Sequence, residues 1–246
     1  MTFAKDSRTV AKVVPSPNHD ARGTRVDILL MHYTGMQSGE DALARLTDRS
    51  AKVSSHYFVD EDGRVLQLVS EHQRAWHAGE SSWKRAVDIN ARSIGIEIVN
   101  PGHEFGYRDF PAVQIDAVIA LSRDIIARHH IRRERVLAHS DVAPLRKHDP
   151  GEKFPWARLA AAGIGLWVEP SPLTEGRTLS ANDRGLEVEK LQKSLARFGY
   201  AIEITRHYDD TTRSVVTAFQ RHFRPERVDG LADPSTVETL RRLLTR

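Results

Sequence analysis

The chain has 246 residues, 40% hydrophobic and 28% charged, an ordinary balance for a soluble protein and a length that predicts one large and one small domain. It contains no cysteine, which excludes disulfides and any thiolate metal site and leaves only histidine and carboxylate as zinc ligands. The net charge of +3 lies wholly within residues 177–246, where 13 Lys+Arg face 10 Asp+Glu; so small an excess makes no case for nucleic-acid binding, though it does not oppose docking on an anionic polymer.

Residues 1–24 are polar and carry Pro15, Pro17, Asn18 and Gly23, which predicts an extended arm. Met1–Val10 lacks the apolar core of an export signal, and no run approaches transmembrane length. The expectation is a cytoplasmic chain as written, or a cell-envelope one if export takes another route or the native start lies upstream. Val26–Met31 is apolar at nearly every position, as in a central strand buried on both faces, and its end delivers His32. Taken alone, that strand makes His32 a hydrogen-bonded core histidine. Gly39–Asp48, with Leu43 and Leu46 three apart, predicts a short helix. His56–Asp60 and Arg64–Val69 flank Glu61-Asp62-Gly63, a hairpin signal because glycine takes the left-handed turn conformation, so the sheet is mixed rather than purely parallel.

Trp76-His77-Ala78-Gly79 and Ser81-Ser82-Trp83 leave two readings open: tryptophans lining a sugar or peptide cleft, or tryptophans plugging the edge of the core. His77 is a candidate for supporting a metal ligand or facing substrate, not a ligand itself. Ser93–Asn100 alternates, with Ile94, Ile96 and Ile98 on one face and Gly95, Glu97 and Val99 on the other. Glu97 is therefore a carboxylate within an apolar strand, which calls for a metal, a catalytic role or a structural salt bridge with an arginine. Pro111–His130 repeats apolar residues at helical spacing and closes on His129 and His130, two solvated histidines near the negative end of the helix dipole. Arg135–Ala138 is a short strand. It leads into Ala138–Gly151, where His139, Lys147 and Asp149 lie among Pro144 and Pro150 in what reads as an ordered loop rather than a helix. Residues 164–178, with Pro170, Pro172 and Gly176, read as a linker. Three helical patterns follow, Gly185–Phe198, Asp210–Phe223 and Asp233–Leu244, the last opened by an Asp233 N-cap and Pro234.

Five segments in order, His32-Tyr-Thr, Ser54–Gly63, Ala75–Gly79, Ser93–Ile98 and His139–Gly151, resemble the zinc-dependent N-acetylmuramoyl-L-alanine amidases of the amidase-2 family, nearest its AmiD/AmpD branch, over roughly residues 20–160. The resemblance implies His32, His139 and Asp149 as zinc ligands, two imidazoles and a carboxylate with a fourth position open to water, and Glu97 and Lys147 as the catalytic pair. Related amidases carry a cysteine ligand and a catalytic tyrosine where this chain has Asp149 and Ser55, so a mechanism through that tyrosine is not implied. His148 has no counterpart role. Arg184–Gln192, Phe198-Gly-Tyr200, Ala218-Phe-Gln220 and Val228-Asp-Gly230 resemble the three-helix peptidoglycan-binding domain.

The fold expected is α/β, a mixed central sheet flanked by helices as in peptidoglycan-recognition proteins, plus a small C-terminal three-helix domain. The expected boundaries are a catalytic domain 1–163 that includes the arm, a linker 164–178 and a helical domain 179–246 coupled only weakly to the catalytic part, with a structural cap as the alternative role for the helices. The activity implied is hydrolysis of the amide between N-acetylmuramic acid and L-alanine in peptidoglycan or its anhydro-muropeptides, with Zn2+ as cofactor, muropeptides as partners, no nucleic acid, and a monomer. A receptor that binds muropeptide without cutting it is the main rival, although it would have no need of the full residue set. A general zinc peptidase lacks the His-Glu-x-x-His pair.

Overall fold

Two apolar segments, Ile28–Tyr33 and Ser93–Ile98, form the centre of the sheet; nearly every residue in them is buried, as expected for strands covered on both faces. A computed structural model of the chain describes residues 3–246. In chain order the strands are β1 (Lys12–Val13), β2 (His19–Ala21), β3 (Ile28–Tyr33), β4 (Tyr57–Val59), β5 (Val65–Gln67), β6 (Gln73–Ala75), β7 (Ser82–Trp83), β8 (Ala86–Val87), β9 (Ser93–Ile98) and β10 (Val136–Ala138). The helices are α1 (Gly39–Thr47), α2 (Ile89–Arg92), α3 (Ala112–His129), α4 (His139–Val142), α5 (Trp156–Ala161), α6 (Leu186–Phe198), α7 (Asp210–Phe223) and α8 (Pro234–Leu244).

The main sheet runs β1-β5-β4-β9-β3-β10. Its β4–β5 hairpin is antiparallel and its other neighbours are parallel, which gives the mixed sheet expected. Alternation along the central strands divides the interior. Leu29, Met31, Ile94, Ile96 and Ile98 share a core with Ile115, Val118, Leu121 and Ile125 of α3. Ile28 and Leu30 belong instead to an apolar cluster that continues through Leu137 and Val142 into Val188, Leu195, Val215 and Phe219 of the C-terminal helices. A third cluster joins Ala42 and Leu46 of α1 to Phe58, Leu66 and Val99.

Four expectations need correction. The central strand lies at Ile28–Tyr33, two residues later than its apolar run suggested, so His32 sits within the strand. The N-terminal arm is tied down: β1 pairs with β5, β2 pairs with β6, and the buried Arg22 donates to the carbonyls of Glu71, Ala91 and Ser93. His139–Val142 forms a single helical turn before the loop, because Asp141 accepts the Ala138 N–H at 2.8 Å and so satisfies a donor that the first turn leaves open.

The fourth concerns the coupling of the C-terminal helices, which is tight. In segment 164–178, Ile164 and Val168 are buried, the Ser171 N–H donates to Thr239, and Arg242 donates to the Glu169 carbonyl. Trp83 on β7 is 1% exposed and packs edge-on against Phe198 and Tyr200, with ring centroids 5.8 and 5.1 Å away. Gly199 closes α6 at φ 153° directly against that indole, where a Cβ would lie 2.5 Å from the ring. Burying a side chain of this size stabilises a junction by a few kcal/mol, far more than a flexible tether provides.

Candidate metal centre and catalytic cleft

The parallel register of β3 and β9 sets His32 opposite Glu97, so the imidazole and the carboxyl emerge side by side from adjacent strands. β10 pairs on the other side of β3 and places His139 directly after its last residue, Ala138. The Ser140 N–H donates to the Asp149 carbonyl at 3.0 Å, folding the Lys147–Asp149 segment back against this turn. Three elements distant in sequence thereby bring His32, His139 and Asp149 together, with exposures of 1%, 3% and 6%.

His32 Nδ1, His139 Nδ1 and Asp149 Oδ2 form a triangle with every edge 3.0 Å. The outer nitrogens of the two rings show what this triangle is for. His139 Nε2 lies 3.1 Å from the Ala78 carbonyl, which can only accept, so Nε2 carries the proton and Nδ1 presents a bare lone pair. His32 Nε2 lies 3.0 Å from His77 Nδ1; His77 Nε2 lies 3.3 Å from Ser93 Oγ, and Ser93 donates to the Ile89 carbonyl at 2.6 Å. Read back from that terminal carbonyl, the chain has one consistent direction: Ser93 donates to Ile89, His77 Nε2–H donates to Ser93, and His32 Nε2–H donates to His77. His32 Nδ1 is therefore also bare. Two imidazole lone pairs and a carboxylate oxygen converge on one buried point, an arrangement that repels itself unless a cation sits among them.

The electrostatics agree. Burial, then the neighbouring His139, lowers the His32 pKa to about 4 against the opposing pull of Asp149, so the ring is neutral and able to ligate. Burial alone would raise the Asp149 pKa, but His139 and His32 outweigh it and hold the carboxylate ionised well below its ordinary range. Burial and the charge of Asp149 push the Glu97 carboxyl well above its ordinary value, with Lys147 opposing. Glu97 Oε2 has no hydrogen-bond partner among the described residues, and no arginine pairs with it there, so the structural salt bridge does not form.

A cleft of about 390 Å³ opens over this centre, with Glu97, Lys147, Trp76, Arg45, His103 and His148 among the residues lining it. The two tryptophans divide the readings left open for them: Trp76 lines the cleft and Trp83 plugs the core. Ser55 is fully buried and donates to the Tyr57 carbonyl, so it plays no part in the cleft. His148 faces the cleft 5.5 Å from His103, outside the triangle. Of the two histidines that close α3, His130 is exposed as expected, whereas His129 is only partly exposed and pairs its Nε2 with Glu71 at 2.7 Å. Sequence reading missed Asp141, whose polar partners Tyr200 and His222 lie 59 and 81 residues away; no local signal reports contacts at such separations.

The N-acetylmuramoyl-L-alanine amidase family matches residues 22–152, and a peptidoglycan binding domain matches residues 184–240. The chain is 40% identical over 238 residues to the N-acetylmuramoyl-L-alanine amidase AmiD of Escherichia coli strain K12, spanning 90% of this chain and 83% of that protein. The solved complex of E. coli AmiD with the substrate anhydro-N-acetylmuramic acid-L-Ala-D-gamma-Glu-L-Lys is similar at a TM-score of 0.77 and 39% identity, covering 92% of each chain. The crystal structure of AmpDh3 from Pseudomonas aeruginosa is similar at a TM-score of 0.74 and 30% identity, covering 99% of this chain and 97% of that one.

Proposed function

The chain belongs to the N-acetylmuramoyl-L-alanine amidase family, and we propose that it hydrolyses the amide between the lactyl group of N-acetylmuramic acid and L-alanine at a zinc ion held by His32, His139 and Asp149. The observation that carries this reading is the 3.0 Å convergence of three buried lone-pair donors, two of them imidazoles whose Nε2 hydrogens are already committed elsewhere. Two neutral nitrogens and one carboxylate suit zinc. The same donor set also serves iron in oxygenases, but amide hydrolysis requires no change of oxidation state. Zinc, when bound, polarises a carbonyl and lowers the pKa of water towards ~7.

The chain's own residues supply the rest. Glu97, next to His32 in the sheet, takes the proton from the attacking water as the C–O bond forms. Its raised pKa lets it hold that proton and pass it to the alanine nitrogen as the C–N bond breaks. Lys147 places an ammonium at the same cleft to balance the negative charge that develops on the carbonyl oxygen, a role usually worth a few kcal/mol. Residues 1–163 carry this chemistry, 164–178 form the connection, and 179–246 form a peptidoglycan-binding-like helical domain. The substrate class is peptidoglycan and its anhydro-muropeptide fragments, supported by the fragment named in the E. coli AmiD complex. A receptor without turnover would gain nothing from Glu97, half-buried beside the metal ligands with its Oε2 unpartnered among the described residues.

Metal analysis of two variants tests the assignment. His139→Ala should lose both zinc and turnover, because two protein donors remain. Glu97→Ala should keep stoichiometric zinc and lose at least ~10²-fold in rate, the scale of a missing general base. Zinc retained by folded His139→Ala, or lost by Glu97→Ala, would overturn the roles given to these residues.

A further inference from the structure

We infer that the C-terminal helical domain is a buttress of the metal centre: Tyr200 and His222 hold Asp141, and through it the single turn α4 that carries His139. The inference rests on the reading of His139 as a metal ligand. Asp141 stands two residues beyond His139 and is 1% exposed. Its Oδ2 accepts from the Ala138 N–H at 2.8 Å, immediately before His139, and from His222 Nδ1–H at 2.7 Å; its Oδ1 accepts from the Tyr200 hydroxyl at 2.7 Å. A carboxylate taken out of water requires such donors, and here two of the three side-chain and backbone donors come from the C-terminal domain.

Both of those donors are fixed in direction. Burial and the charge of Asp141 raise the Tyr200 pKa well above the ordinary phenol range, so its hydroxyl stays protonated and donates. The His222 ring is stacked against Trp156 at 3.8 Å and 22° and against Phe223 at 3.8 Å and 5°, which leaves it no freedom to turn Nδ1 away. Its Nε2 has no partner among the described residues, which suits the neutral tautomer with the proton on Nδ1. A cap that Asp141 needed only for its own helical turn would use the Ala138 N–H and nothing else. The additional donors bind the turn to α7 and to the end of α6. Because the Ser140 N–H also holds the Asp149 carbonyl, a shift of α4 moves two of the three metal ligands together. Tyr200 and His222 are thus positioning residues that act through Asp141, and the helical domain has a role at the centre distinct from any contact with the cell wall.

The test uses the full-length protein with Tyr200→Phe, His222→Phe and both together, changes that keep the aromatic rings and their stacking but remove the donors. Zinc affinity is measured by competition with a chromophoric chelator. Ligand geometry is read from the visible absorption of the cobalt-loaded protein, and stability from Tm. Leu195→Ala, in the apolar core of the same domain and making no hydrogen bond to Asp141, serves as the control for lost stability alone. The double variant should bind zinc about 10–100-fold more weakly and show a changed cobalt spectrum, the scale for losing the groups that orient metal ligands, whereas Leu195→Ala should lower Tm and leave both metal readouts as in the wild type. Wild-type zinc affinity and spectrum in the double variant would overturn the inference; so would equal weakening by Leu195→Ala. Should the double variant not fold, Tyr200→Phe alone, which lacks one hydroxyl, decides by the same readouts. Wild-type protein that binds neither metal would refute the metal-centre reading and the inference with it.

Discussion

His32 can offer Nδ1 to a metal only while Nε2 keeps the proton, and His77 enforces this by accepting that Nε2–H at 3.0 Å. His77 is itself held by geometry. Its backbone N–H donates to Asn90 Oδ1 at 2.9 Å, and its ring lies on Gly95, where a Cβ would come within 2.6 Å of Nδ1. His77→Phe should fill the same space without accepting the proton and should weaken zinc binding by ~10-fold or more; His77→Asn, whose amide oxygen can stand near the Nδ1 position, should restore much of it. Chelator competition on the two variants checks this, and equal affinities would show that His77 serves only as packing. At this scale the sequence was partly legible. Glu97 announced itself as a carboxylate in a strand of isoleucines, and His77 as a histidine in a glycine-flanked turn. That His77 reaches His32 at the wall of the cleft depends on the β3–β9 register and on Gly95, neither of which a one-dimensional pattern contains.

Elements that follow one hydrophobic period were the most readable: β3, β9, the β4–β5 hairpin and α3 all lie within a few residues of where alternation or helical spacing put them. β1 and β2 were not readable, because two- and three-residue strands with largely exposed side chains are held by their partners rather than by a pattern. The end of α3 shows the same limit. Glu71, 3% exposed in the loop after β5, receives hydrogen bonds from Tyr57, Arg128 and His129, and so fastens the last turn of α3 to the sheet. Burial alone would raise the Glu71 pKa, but His129, Arg128 and Tyr57 together bring it down to about 2. A carboxylate depressed in the folded state stabilises above its unfolded pKa, near 4.5, and that contribution fades as pH falls through the folded value near 2. The difference corresponds to stability on the order of 3 kcal/mol. Wild-type Tm should therefore drop between about pH 4.5 and 2, whereas Glu71→Gln should be less stable at neutral pH and show a shallower drop across that window. Parallel Tm profiles for the two proteins would rule out Glu71 as the acid-labile fastener.

In the whole molecule, β3 joins the two domains. Its Leu29 and Met31 face α3, while Ile28 and Leu30, on the same side as His32, lie in the cluster that runs on into α6, α7 and α8. The helices' stripes of apolar residues were legible, but their partner was not, since a stripe looks the same whether it closes on its own bundle or also on a neighbouring sheet. The proline-bearing segment before them reads as a tether, yet its first half is buried or hydrogen-bonded across the junction. The helical domain accordingly packs against the strand that carries His32, and peptidoglycan binding by its outer surface would be added to that packing. The central claim, that this scaffold builds a zinc centre for cutting one amide, is tested most directly by mass analysis of products from an anhydro-muropeptide. The full-length protein is assayed as isolated, after stripping with a chelator, and after reloading with zinc. The account predicts separation of the anhydro-sugar from an intact stem peptide with a free L-alanine amino terminus, lost on stripping and restored by zinc. Cleavage at any other bond, or release of the same products by the stripped protein, would contradict it.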